Sequence, residues 1–203
     1  MPTTVEVRRG SLTDGNETVL VNASNTEVAL GYGVSAAIRS ACGPGYQDAI
    51  QEQLESVHGG SMEPGDVLVT DAGTHPRARF VAHVAVMDYR PGAGRIAQNP
   101  TRERIERACE HLWDEIERLP GDEPHSVAMV ALGAGVGGLG VRAPTEIACT
   151  TLAAHLARTA ATRIAHVAFY AWSLPDHINI NEAVLAQFPD ARVTDPATQQ
   201  LAT

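Results

Sequence analysis

Two carboxamides, Asn22 and Asn25, stand just beyond a short apolar run, Val19–Val21. The chain then turns through Gly31-Tyr32-Gly33 and enters a small and apolar segment containing Val34, Ala36, Ala37 and Ile38. A strand, a polar elbow, a glycine turn and a helix start form a backbone cradle for an anion, because free N–H groups converge there. Side-chain amides both donate and accept, so Asn22 and Asn25 can read a ligand's donor/acceptor pattern. The chemistry suited to this segment is recognition of a small, anionic, nucleotide-like molecule.

A second glycine-rich stretch, Gly133-Ala134-Gly135-Val136-Gly137-Gly138, follows the apolar run Ser126–Leu132. It satisfies the G-x-G-x-x-G pattern of dinucleotide-binding folds. Two features argue against that reading. Too little chain follows for the remaining strands of such a domain, and the next strand ends in Ala171-Trp172, with no carboxylate to hold a ribose. No Gly-Lys-Ser/Thr follows either, which excludes a Walker A loop. So dense a run of glycines is entropically costly for a plain connection. The loop is therefore expected to approach phosphate oxygens with its backbone.

The elements that must position these loops alternate along the chain. Strands are expected at Thr4–Arg8, Thr18–Val21, Asp66–Thr70, Arg79–Val86, Ser126–Leu132 and Ile164–Trp172. Helices are expected at Ser35–Ala41, Tyr46–Val57, from the Thr101 cap to Leu119, from Pro144 to about Ala161, and at Asn181–Phe188. Ile105, Cys109, Leu112, Trp113 and Ile116 recur at helical spacing. Arg90–Pro100 reads as a surface loop. The alternation predicts an α/β fold, a three-layer α/β/α sandwich with a mostly parallel mixed central sheet. One domain over residues 1–189 is expected, with a polar, loose tail at 190–203. In such sheets ligands sit beyond the C-terminal strand ends, where both glycine loops fall.

Composition narrows the function. A formal net charge of −9 without a basic stripe argues against direct nucleic-acid binding. Any anion must then be held mainly by backbone N–H groups. Cys42, Cys109 and Cys149 cannot all pair within the chain and no secretory signal precedes them, which predicts reduced, buried thiols in a cytoplasmic protein. Neither they nor the histidines show metal-ligand spacing, so no metal and no cofactor is expected. No apolar run is long enough to span a membrane. The sequence names no protein partner.

Four motifs in order resemble the macrodomain family of ADP-ribose-binding modules. Val21-Asn22-Ala23-Ser24-Asn25 is similar to V-N-A-A-N, and Gly31-Tyr32-Gly33-Val34 to G-G-G-V. The stretch Gly65-Asp66-Val67 through Val81-Ala82-His83-Val84 resembles the family's central strands, and Ala131–Gly138 resembles its second phosphate loop. The resemblance runs from about Val5 to Phe188. It implies that Gly31–Val34 and Gly133–Gly138 clasp a diphosphate, that Asn25 binds the distal ribose, and that Val136 lines the ribose pocket. An aromatic near the end of the last strand would cover adenine. Tyr170 and Trp172 are both candidates, and Tyr170 is preferred. The implied ligand is ADP-ribose or an ADP-ribosylated molecule, held in a two-loop clamp.

Two departures bear on that implication. The family's Gly-Asp-Ile-Thr, whose Asp accepts from the adenine amino group, reads Gly10-Ser11-Leu12-Thr13 here. Ser11 is a neutral, weaker acceptor, and Asp14 lies out of register. One hydrolase branch carries an Asp after the glycine turn, at the position of Ser35. A serine without an adjacent base does not replace it in general-base work. Binding is therefore the expected function. The alternative is mono-ADP-ribosyl hydrolysis, with a ligand phosphate orienting the water and Asn25 taking the catalytic part. His83 reads as a packed core histidine, Tyr32 as either a lid or a surface aromatic, and Asp88 and Arg90 as an ordinary solvated loop rather than rim contacts.

Overall fold

Short runs of Val, Ile, Ala and Leu produce strands whose alternate side chains reach both faces of a sheet. In the computed structural model, which describes residues 2–94, 98–135 and 137–194, the strands are β1 (Thr4–Arg9), β2 (Val19–Asn25), β3 (Val67–Asp71), β4 (Phe80–Met87), β5 (His125–Met129), β6 (Ile164–Ala171) and β7 (Arg192–Thr194). They form one sheet in the order β3-β4-β2-β5-β6-β1-β7. Only β3 pairs antiparallel, with β4.

The helices are α1 (Gly33–Cys42), α2 (Tyr46–His58), α3 (Arg102–Glu117), α4 (Arg142–Arg158) and α5 (Leu174–Gln187). Val19 and Val21 of β2 pack with the α3–α5 layer, around the fully buried Trp113 and Ile116. Leu20, between them, packs with Ile38 of α1 and Ile50 of α2 on the other face. This gives the expected three layers. Parallel pairing collects the C-terminal ends of β1, β2, β4, β5 and β6 along one edge, from which both glycine loops emerge. All three cysteines are free and buried.

Several boundaries differ from those read in the sequence. The last helix starts at Leu174 rather than Asn181: Ser173 Oγ accepts from Asp176 N at 3.2 Å, and Pro175 suits the first turn. Asp176 and Asn179 interrupt the apolar pattern there, hiding the helix from a periodicity argument. Helix α4 begins at Arg142, so Pro144 lies inside the first turn rather than opening it. Strand β2 runs on to Asn25, paired with β4 through a register shift between Ser24 and Asn25. Arg192–Thr194, expected as loose tail, adds a parallel edge strand to β1, and Thr194 Oγ1 donates to Glu6 Oε1 at 2.6 Å.

Candidate functional site

At the C-terminal edge of the sheet the loops after β1, β2, β5 and β6 wall a cleft of about 690 Å³, large enough for a nucleotide-sized ligand. The loop between β2 and α1 is tied down along its length. Thr26 N donates to Met87 O at 2.9 Å, and Gln47 of α2 holds Leu30 N at 2.8 Å and Val28 O at 3.0 Å. Val28 is fully buried at φ +50°, a left-handed conformation that β-branched residues avoid. Packing and these hydrogen bonds hold it there. Asn25 lines the cleft, and its Oδ1 accepts from Glu27 N at 3.0 Å and Ala29 N at 3.3 Å.

Helix α1 starts directly on this wall, with Gly33, Val34 and Ser35 facing the cleft. Its N-cap, Tyr32, makes no side-chain cap bond, and no acidic residue occupies the first turn. The first-turn N–H groups therefore lack a side-chain cap, and the helix dipole favours negative charge there. Tyr32 itself is 86% exposed on the rim. Helix α4, behind the second glycine loop, also starts without a side-chain cap.

The glycines divide into two kinds. In the second loop, Gly133 has φ +79° and a Cβ there would meet Pro100 Cγ at 2.8 Å; at Gly137 it would meet Gly133 O at 2.4 Å. These two shape the loop. Gly31 and Gly135 lie outside the left-handed region and a Cβ on either would meet nothing within 4 Å, yet both line the cleft. Neither packing nor backbone conformation accounts for glycine at these two positions. Both present bare backbone to the cleft, with no side chain between it and the open space.

The cleft wall includes Ser11, Leu12, Ala23, Asn25, Gly31, Tyr32, Gly33, Val34, Gly133, Ala134, Gly135, Gly137, Tyr170 and Trp172, all expected from the sequence. Gly138, at φ +72°, forms a turn beside the cleft and does not line it. Val136 lies outside the described residues. Asn22 is a correction. It is fully buried beneath the wall, where its Oδ1 accepts from Ser35 Oγ at 2.8 Å and its Nδ2 meets His83 Nδ1 at 3.1 Å. Ser35 thus directs its proton inward, and Asn22 is a structural amide linking α1 to β4.

With Nδ1 accepting from Asn22, the His83 proton sits on Nε2, facing Thr70 Oγ1 at 3.1 Å and Tyr46 OH at 3.3 Å. His83 is the core histidine expected. Burial pushes its pKa down to about 3. The unfolded chain takes up this proton near pH 6.5 and the folded chain refuses it until about 3. Stability therefore falls as pH drops through that window, by about 2 kcal/mol between pH 8 and 5 from this group alone. Burial also lowers His125 and His166, which add in the same direction. Denaturant unfolding of wild type and His83→Gln at both pH values isolates the His83 share; identical pH dependence in the two would assign it elsewhere.

At the other end of the cleft, Gly10 N donates to Ala171 O at 2.9 Å, so β1 and β6 leave the sheet side by side. Tyr170 is 8% exposed and its hydroxyl donates to Glu17 Oε2 and accepts from Arg8 Nη1, both at 3.0 Å. Burial raises its phenol to about 12. Trp172, just past the strand, is 79% exposed on the cleft wall. Asp88 and Arg90, weighed as rim residues, pair with each other (Arg90 Nε–Asp88 Oδ1, 2.9 Å) and do not line the cleft.

Sequence reasoning missed Ser24, Tyr89, Asp176 and Ile180, which also line the cleft. The Ser24 hydroxyl is buried and has no hydrogen-bond partner. Its signal was its place between the two asparagines. Asp176 and Ile180 were hidden with the first turns of α5. Among the described residues no group of three or more His, Cys, Asp or Glu side chains could hold a metal ion. No helix among them is long and apolar enough to cross a membrane.

The family model described as "Macro domain" matches residues 21–148 of this chain, from the cleft strand β2 into α4. The chain is a member of the Macro domain family. A macro domain-containing protein of Listeria monocytogenes is 25% identical over 148 residues, 73% of this chain and 78% of that protein. A Klebsiella pneumoniae protein named O-acetyl-ADP-ribose deacetylase is 29% identical over 153 residues, 75% of this chain and 81% of its own length. Among solved structures, an Oceanobacillus iheyensis macrodomain mutant with ADPR superposes with a TM-score of 0.75 at 22% identity, covering 93% of this chain and 95% of that one. A Trypanosoma brucei macrodomain in complex with ADP-ribose gives a TM-score of 0.71 at 19% identity, covering 89% and 68%. These neighbours establish the macrodomain fold for the three-layer sandwich described above.

Proposed function

We propose that this macrodomain binds ADP-ribose, or the ADP-ribosyl group of a modified molecule, across the cleft. The observation that carries the reading is the pair Gly31 and Gly135, which line the cleft where a Cβ would meet only open space. Facing loops with such positions, beside helix starts that lack side-chain caps, suit a diphosphate held by backbone N–H groups. The Trypanosoma neighbour is in complex with ADP-ribose and the Klebsiella relative is named for an ADP-ribose derivative, and both support the same ligand. In this arrangement the distal ribose lies by Asn25, with the unpartnered Ser24 hydroxyl in the same wall, and the base lies against Trp172. Trp172 takes the stacking role in preference to Tyr170, whose ring is buried and whose hydroxyl is already paired.

Calorimetric titration with ADP-ribose tests the reading, and no heat at millimolar ligand would overturn it. Base–aromatic stacking is worth about 1–3 kcal/mol, so Trp172→Ala should weaken binding by roughly tenfold or more. Unchanged affinity in that variant would return the stacking role to Tyr170.

Hydrolysis is the second reading, favoured by the deacetylase name of the Klebsiella relative. The wall around Asn25 presents hydroxyls, a carboxamide and apolar groups, with no carboxylate or imidazole among its described residues. A reaction there draws its base from the substrate. Release of free ADP-ribose from a mono-ADP-ribosylated protein, lost in Asn25→Ala, would establish that activity.

A further inference from the structure

Among the described residues that line the cleft, Asp176 is the only aspartate, glutamate, lysine, arginine or histidine. It belongs to the first turn of α5, one turn before the buried Ile180 and four residues beyond the exposed Trp172. All three line the cleft at the end where β1 and β6 leave the sheet together. The position is fixed. Asp176 N donates to Ser173 Oγ at 3.2 Å, and Ser173 Oγ donates to Asp176 Oδ2 at 2.6 Å. Of the other polar side chains at this end, Ser11 is engaged with Thr13 through an Oγ–Oγ1 contact of 2.8 Å and accepts from Thr13 N at 3.3 Å, and the Tyr170 hydroxyl is paired with Glu17 and Arg8.

A single carboxylate beside an exposed indole discriminates between planar bases. A carboxylate only accepts hydrogen bonds, so it favours a base whose edge carries an exocyclic amino group. A base with a carbonyl at that position sets lone pair against lone pair. We propose that Asp176 is the specificity-determining residue of the base subsite, accepting a hydrogen bond from the 6-amino group of adenine and disfavouring 6-oxopurines. The inference rests on the binding function proposed above and adds to it which nucleotide the cleft selects.

Hydrogen bonds to charged groups are the strong class, and a site built around one rejects analogues that leave it unpaired. Wild type should therefore bind ADP-ribose at least about tenfold more tightly than inosine diphosphate ribose in paired calorimetric titrations. Asp176→Asn keeps a side chain able to cap the helix but adds a donor that suits a carbonyl. Its preference should fall to about twofold or less, chiefly through weaker binding of ADP-ribose. A residue that serves only to cap α5 would change both affinities together and leave their ratio intact, and that result would overturn the proposal. A wild-type ratio near one would overturn it as well, while leaving ADP-ribose binding standing. Absence of heat with either ligand would remove the binding function along with it.

Discussion

Replacing Gly135 with glutamate is expected to abolish ADP-ribose binding while shifting the melting temperature by no more than about 2 °C. Gly135 adopts a backbone conformation open to other residues, and a Cβ there meets nothing within 4 Å. The fold therefore accepts a side chain at this position. The cleft does not, because the new carboxylate enters the space assigned to the diphosphate. Two like charges about 4 Å apart at an effective dielectric near 20 repel by about 4 kcal/mol, close to a thousandfold in affinity. Gly137→Ala provides the contrast within the same loop. Its Cβ would lie 2.4 Å from Gly133 O, so it should lower stability before it touches binding. Thermal melts and calorimetry on the two variants separate shaping glycines from ligand-approach glycines. Undiminished affinity in Gly135→Glu would place the phosphates elsewhere.

What the sequence made legible was whatever the backbone demands locally. Both glycine loops stand out because few connections tolerate so much lost order, and each falls at the C-terminal end of a strand. The helix of Ile105, Cys109, Leu112 and Ile116 was plain because its period matches one buried face. What escaped was set by where a strand stops. With β2 ending at Val21, Asn22 and Asn25 looked like neighbours on one elbow. The strand continues to Asn25, and residues three apart in a strand face opposite sides, so one asparagine enters the core and the other the cleft. Likewise β6 ends at Ala171, which leaves Tyr170 within the sheet and frees Trp172 from it. The first turns of α5 were hidden because Ser173 and Asp176 cap a helix whose polar residues obscure its period. Asp176 went unnoticed for that reason.

Because Asn22 faces inward, the two asparagines should respond oppositely to one substitution. Asn22→Leu replaces the amide with a side chain of similar size, leaving Ser35 Oγ without its acceptor and His83 Nδ1 without its donor, both in a buried setting. Each orphaned group costs about 1–3 kcal/mol, offset in part by the added apolar contact. A net loss of about 3 kcal/mol lowers the melting temperature by about 6–12 °C for a domain of this size. Because Asn22 does not line the cleft, affinity for ADP-ribose measured well below the transition should change by less than about threefold, a free-energy shift below about 0.7 kcal/mol. Asn25→Leu should do the reverse. Its amide organises the exposed turn at Glu27 and Ala29, so about 1 kcal/mol of stability is at stake, whereas the ligand loses the side chain assigned to its distal ribose. Thermal melts paired with calorimetry on the two variants place them at opposite corners of a stability–affinity plot. Equal losses of affinity would mean that the Asn22 amide reaches the ligand, which requires the Ser35–Asn22–His83 chain to open when the cleft fills.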